Sequence, residues 1–156
     1  MQGEVRLRDV LDSDMPVFFA LHRDEGAARM AGFGTRDNDA DDLTARWRRA
    51  LVPGTTQKAV LVGGEVVGLA ATFFVEDKLQ VTYWIARAHW GRGIATEALS
   101  QLLKHVTTRP LYASAASDNA ASLRVLQKCG FVITGTARAF ASARGEEIEE
   151  VFLELR

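Results

Sequence analysis

Alternating positions open the chain: Val5 and Leu7 stand among Glu4, Arg6 and Arg8, which predicts a half-buried first strand. Val17, Phe18, Ala20 and Leu21 follow Pro16 in a helical pattern that Asp12 or Ser13 is placed to cap. Gly26 to Asp42 reads as loop, with Gly32 and Gly34 ahead of Asp37, Asp39, Asp41 and Asp42. That acidic cluster favours a helix start, so Leu43–Leu51 reads as a second helix, ended by Pro53-Gly54. Lys58–Val62 and Glu65–Phe74 flank Gly63-Gly64, the signature of a hairpin. Leu79–Ala86 is the next strand. Ile94, Ala98, Leu99, Leu102, Leu103 and Val106 then mark one apolar face of a third helix. Leu111–Ala115 is a short strand, and Ser117 or Asp118 caps a fourth helix that ends in a left-handed Gly130. Phe131–Phe140 and Glu147–Leu155 close a last hairpin around Arg144-Gly145. This order predicts one α/β (α+β) domain over residues 1–156, with a mixed sheet of about seven strands flanked by about four helices.

The step from the Leu79–Ala86 strand into the third helix carries the chemistry. It is a short turn holding Gly91 and Gly93, ringed by Arg87, His89 and Arg92. Such a turn leaves backbone N–H groups without intrahelical partners, and the helix dipole adds positive charge there. A phosphate or pyrophosphate suits that geometry; an ordinary strand-to-helix turn fits the same residues. Two familiar phosphate loops are excluded. Ile94 and Ala95 follow Gly93 where a P-loop needs Lys and Ser or Thr, and Thr96 stands where a dinucleotide fingerprint needs its third glycine.

Composition narrows the classes. The 156 residues suit a single core, and apolar and charged fractions of 47% and 25% are ordinary for a globular protein. A net charge of −1 leaves no electrostatic footprint for nucleic acid or an anionic membrane. Cys129 is the only cysteine, so no internal disulfide forms, which fits a reducing compartment. Met1–Val10 lacks the apolar centre of a signal peptide, and Val66–Val75 falls short of the ~20 residues that span a bilayer. The expectation is a cytoplasmic protein, monomer or homodimer, with no nucleic-acid or membrane partner and no metal.

A second segment, Asp118-Asn119-Ala120-Ala121-Ser122-Leu123-Arg124-Val125-Leu126-Gln127-Lys128-Cys129-Gly130-Phe131, completes a recognisable pair. With Trp90-Gly91-Arg92-Gly93-Ile94-Ala95-Thr96-Glu97-Ala98 it resembles the GNAT superfamily of acetyl-coenzyme A-dependent N-acetyltransferases. Tryptophan before the glycines, and the later Asn-x-x-Ser ending in Lys-x-Gly-Phe, are similar to the ribosomal-protein-alanine N-acetyltransferase branch. The resemblance covers nearly the whole chain and implies the same element order.

What it implies at the site follows residue by residue. The turn from Arg92 through Gly93, Ile94 and Ala95 to Thr96 supplies backbone donors for the pyrophosphate of acetyl-CoA. Glycine at 93 and alanine at 95 allow close approach. Arg87 and Arg92 pair with phosphates or remain solvated surface charges. The pantetheine arm lies beside Trp84, Ile85 and Ala86, and an N–H near Ile85 or Trp84 polarises the thioester carbonyl. Asn119 bonds the arm, or simply caps its helix.

Many relatives carry a tyrosine on the fourth helix to protonate the leaving thiolate; here that position is Leu126. Ser122, one turn earlier, is the substitute the branch suggests, and close packing explains a small residue there equally well. General-base candidates are Glu149 and His22, with a water chain as the alternative. The acceptor is an amine, either a protein N-terminus or a small molecule. The acidic residues at 37–42 and 146–150 attract a cation there or merely solvate the surface. Leu126 also motivates a different class, a coenzyme A-binding module without catalysis.

Overall fold

A computed structural model describes residues 4–23, 52–141 and 145–156. Val5–Asp9 forms β1, and Met15–Arg23 forms helix α1. Gln57–Val62, Glu65–Val75 and Lys78–Ile85 form β2, β3 and β4. Ile94–His105 is α2, Leu111–Ala116 is β5, Ala120–Lys128 is α3, and Val132–Ala141 with Glu146–Leu155 gives β6 and β7. The seven strands make one sheet in the order β1-β2-β3-β4-β5-β7-β6. Every neighbouring pair is antiparallel except β4 with β5. The mixed, mostly antiparallel sheet expected from the sequence is therefore present. Three of the helices expected from the sequence lie among the described residues; the one expected at Leu43–Leu51, and the acidic loop before it, lie outside them.

Local chemistry accounts for most boundaries. Gly63 and Gly64 both have positive φ, 59° and 83°, which a two-residue hairpin of matching twist demands between Val62 and Glu65. Gly130, at φ 97°, ends α3: Phe131 N–H bonds the Leu126 carbonyl and Gly130 N–H the Gln127 carbonyl. That pair of bonds satisfies carbonyls the helix end leaves open.

Two capping expectations are corrected. Asn119, for which capping is the alternative role in the sequence, caps α3 in place of Ser117 or Asp118; its Oδ1 accepts the Ser122 N–H at 3.1 Å. Ahead of α1 neither Asp12 nor Ser13 acts as a helix cap, because Asp12–Asp14 forms a 3₁₀ turn and the α-helix begins at Met15. Asp14 is the residue that matters there, accepting from Leu11 N–H at 2.8 Å and from both Arg8 guanidinium nitrogens at 2.7 and 2.8 Å.

Apolar side chains lie on both faces of the sheet. One face packs under α2 and α3, with Ile94, Leu99, Leu102, Leu126, Val81 and Ile85 in a single cluster. The other face holds Ala59, Leu69 and Ala71 against Phe18 of α1. The α2 stripe read from the sequence is the buried one: Ile94, Ala98, Leu99, Leu102 and Val106 lie in the core and Leu103 packs against it. Among the described residues no helix is long and apolar enough to cross a membrane.

Candidate active site

The site begins as a split in the sheet. Strands β4 and β5 register only at Gln80 and Tyr112. Beyond that point β4 keeps β3 as far as Ile85, and β5 keeps β7 as far as Ala116. Between the parted strands lies a cleft of about 460 Å³, lined by Val81 to Ile85 on one side and Ala113 to Ala115 on the other. Its volume is that of an ordinary small-molecule site.

Strand alternation fixes which backbone groups face the opening. Ala86 N–H bonds the Val67 carbonyl at 2.8 Å, so Ala86 and Trp84 direct their backbone groups at β3. Tyr83 and Ile85 point the other way, into the cleft. Ile85 thus offers the N–H that the sequence assigned to Ile85 or Trp84, and the Ala86 N–H is committed to β3. The Ile85 carbonyl accepts from the Trp90 indole Nε1 at 2.8 Å, which ties the end of β4 to the glycine turn. Gly68 on β3 permits this arrangement: a Cβ there would stand 2.1 Å from the Trp84 carbonyl oxygen.

At the far end of the cleft is the start of α2. Gly93 is its N-cap with φ 76°, a left-handed conformation natural to glycine. The first turn's bond runs from Glu97 N–H to the Gly93 carbonyl at 3.1 Å. The N–H groups of Ile94, Ala95 and Thr96 precede that bond and project from the helix end. A Cβ at Gly91 or Gly93 would meet nothing within 4 Å, so space stands open before these donors. His89, in the 3₁₀ turn Arg87–His89, lines the cleft with a buried Nδ1 that has no protein partner. The open N–H groups of the helix end suit a phosphate.

The third wall is α3. Asn119 and Ser122 line the cleft together, with Arg124 and Lys128 further along the helix. The Ser122 hydroxyl lies 2.8 Å from the phenolic oxygen of Tyr83, which rises from β4. Burial pushes the Tyr83 phenol up to about 12, opposed in part by the Ser122 hydrogen bond, so the group stays protonated at neutral pH. Leu126 is 2% exposed and fills the core beneath.

The structure gathers most of the expected residues. Trp84, Ile85, Gly93, Ala95, Thr96, Asn119 and Ser122 all line the cleft. Ile94 lies outside the lining, with its side chain in the core. Arg87 and Arg92 are exposed residues of the turn and lie outside the lining, as does Ala86. Glu149 is exposed on β7 and also lies outside it. The side chain of His22 is outside the described residues. Sequence reasoning passed over Tyr83 and Trp90 as core and motif residues. It overlooked Arg124 and Lys128, whose four-residue spacing on one helix face was the available signal.

A parted strand pair, a free helix entrance and a polar third wall define a site for a ligand with a phosphate head and an extended arm. The model of the acetyltransferase (GNAT) domain matches residues 4–132, and the chain belongs to that family, whose members are acetyl-CoA-dependent N-acetyltransferases. The uncharacterized N-acetyltransferase p20 of Bacillus licheniformis is 26% identical over 92 residues, a match spanning 54% of this chain and 52% of that one.

Solved structures share the fold at low identity. A ribosomal-protein-alanine N-acetyltransferase from Brucella melitensis superposes with a TM-score of 0.82 at 20% identity, over 96% of this chain and 98% of the other. An acetyltransferase from Salmonella typhimurium with its cofactor acetyl-CoA gives 0.81 at 21%, over 97% and 93%. Spermidine N-acetyltransferase from Vibrio cholerae, in complex with CoA and spermine, gives 0.80 at 17%, over 96% and 95%.

Proposed function

We propose that this chain, as a single domain over residues 1–156, transfers the acetyl group of acetyl-CoA to a primary amine by direct attack in a ternary complex. The observation that carries the reading is the cleft between β4 and β5 opening onto the N-terminus of α2. Donors at Ile94, Ala95 and Thr96 suit the pyrophosphate, and Arg87 and Arg92, exposed on the adjoining turn, suit an anionic head. The unpaired edge of β4 suits the amides of the pantetheine arm as an added strand would, with Asn119 facing it from α3. Ile85 N–H then stabilises negative charge on the carbonyl oxygen as the amine attacks, a role worth roughly 10²–10³ in rate elsewhere.

Direct transfer is favoured over an acyl-enzyme. Cys129 is half-buried, its Sγ reaches the Thr96 carbonyl at 3.7 Å, and burial followed by nearby Glu97 pushes its thiol up, away from the reactive thiolate. Ser122 is the donor we assign to the departing thiolate. For the base, Glu149, exposed on β7, and His22 remain candidates, and a water path to solvent serves equally.

The acceptor we favour is a protein N-terminus of the ribosomal-protein-alanine kind, on the strength of Trp90 before the glycines and the Asn119/Ser122 pair. A small polyamine is the alternative. A panel of amines and N-terminal peptides, scored by thiol release from acetyl-CoA, separates them. Release with alanine-leading peptides and little with spermidine is expected. The competing reading, a coenzyme A-binding module without turnover, rests on Leu126. Tight binding with no release from any acceptor would establish it.

A further inference from the structure

A serine hydroxyl is a weak acid and swings freely about its Cα–Cβ bond, so Ser122 alone is a poor partner for a thiolate. The structure supplies what it lacks. The Tyr83 phenolic oxygen stands 2.8 Å from Ser122 Oγ and 3.3 Å from the Ser122 carbonyl, so the shorter contact is between the two hydroxyls. These residues are 39 apart in sequence and come from opposite walls of the cleft, β4 and α3. Either hydroxyl can donate in this contact, and the phenol's one hydrogen goes to the nearer oxygen on two grounds. A phenol is the more acidic donor, and its oxygen is the poorer acceptor because a lone pair is shared with the ring. Ser122 already has its backbone N–H held by Asn119 Oδ1 at 3.1 Å, which fixes where its Cβ points.

We infer that Tyr83 is a positioning residue: its phenol donates to Ser122 Oγ and turns the serine's own proton into the cleft, toward the sulfur of coenzyme A. The inference rests on the acetyl-CoA reading. In the transfer step the amine nitrogen bonds to the carbonyl carbon, the C–S bond breaks, and its electron pair stays on sulfur. The amine's proton leaves by the base or water. Ser122 holds the sulfur anion by one hydrogen bond, strengthened by the Tyr83 hydroxyl behind it, and no proton crosses to Tyr83. A phenol on the sheet thereby compensates for Leu126, the apolar residue at the helical position where many relatives place tyrosine.

Two measurements test this. In kinetics, Ser122→Ala lowers kcat by roughly tenfold to a hundredfold, the worth of a hydrogen bond to an ionised group. Tyr83→Phe keeps the ring and lowers kcat several-fold in the native background, but not in the Ser122→Ala background, where its target is gone. A merely structural phenol would lower kcat by the same factor in both, and that result overturns the inference.

The second measurement needs no turnover. Coenzyme A and an analogue with hydrogen in place of the thiol are titrated by calorimetry between pH 7 and pH 9. A donor aimed at sulfur lowers the bound thiol's pKa, so coenzyme A tightens relative to the analogue as pH rises, by a few-fold at pH 9 and by about tenfold per unit of lowering only above the free thiol's own pKa. His89, Arg124 and Lys128 line the cleft and Cys129 with Glu97 lies beside it; Ser122→Ala and Tyr83→Phe leave all of them in place, so a change between native and variant protein isolates the two hydroxyls. The relative tightening is expected to disappear in Ser122→Ala and shrink in Tyr83→Phe. Unchanged tightening in Tyr83→Phe overturns the inference even where the enzyme turns over. Absence of thiol release from the native protein instead defeats the acetyltransferase reading.

Discussion

At the scale of single residues, the geometry of the β4 edge depends on what is missing at position 68. A methyl group on Gly68 would stand 2.1 Å from the Trp84 carbonyl oxygen and 2.9 Å from Ile85 Cδ1, so β3 and β4 must part to admit it. Gly68→Ala is therefore expected to lower stability by about 1–3 kcal/mol, as overpacking does, and the unfolding midpoint by several degrees. Because the displaced residues are Trp84 and Ile85, acetyl-CoA affinity falls with it. Thermal unfolding and a binding titration on one preparation check both; native affinity in a stable Gly68→Ala would show that Ile85 is not held this way. Trp90 acts on the same edge from the other end. Trp90→Phe removes the indole donor to the Ile85 carbonyl, and KM for acetyl-CoA is expected to rise several-fold, by the worth of a hydrogen bond, with kcat changed less.

At the scale of elements, the entry to α1 is pinned by charge. Arg8 on β1 and Asp14 in the 3₁₀ turn meet at 2.7 Å, with the Asp14 side chain only 4% exposed. The Arg8 hydrogen bond holds the Asp14 carboxyl below the usual carboxylate range, against the opposing effect of burial, with Leu11 N–H assisting. A lowered folded-state pKa means the stabilisation is complete above the unfolded value near 3.9 and fades as pH falls below it. Asp14→Asn is expected to cost about 1–3 kcal/mol at neutral pH, the gap to native closing below about pH 4. Thermal unfolding across pH checks it, and a gap that persists in acid would mean packing, not the ion pair, is responsible.

Elements were also where the sequence spoke most clearly and misled most plainly. The α2 stripe and the Gly63-Gly64 hairpin were legible because period and turn chemistry are local. The α3 cap was not: Ser117, Asp118 and Asn119 are all competent, and only the direction in which β5 delivers the chain selects Asn119. Asp14 likewise reads as one more acidic helix-start residue until the chain turns after β1 and brings it back against Arg8 and the Leu11 N–H.

At the scale of the whole molecule, the two motifs mark the glycine turn before α2 and the polar wall of α3 in the sequence alone. The cleft that joins them was not legible, since it comes from β4 and β5 registering at a single pair while each keeps its outer neighbour. Tyr83 was hidden for a related reason. In a strand pattern it reads as core, and its hydroxyl acquires a purpose only when α3 lies across the sheet. Arg124 and Lys128 join the cleft lining in the same way.

The central claim is that backbone donors at the start of α2 hold a diphosphate. Gly93→Asn and Gly93→Asp test it together. Both residues tolerate the left-handed conformation at φ 76° and are nearly equal in size, so they differ by one charge. Titrating acetyl-CoA into both at low salt is expected to show the aspartate variant binding at least about tenfold more weakly, a gap that narrows as salt is added. Equal affinities for the two variants, with both folded, would contradict the account.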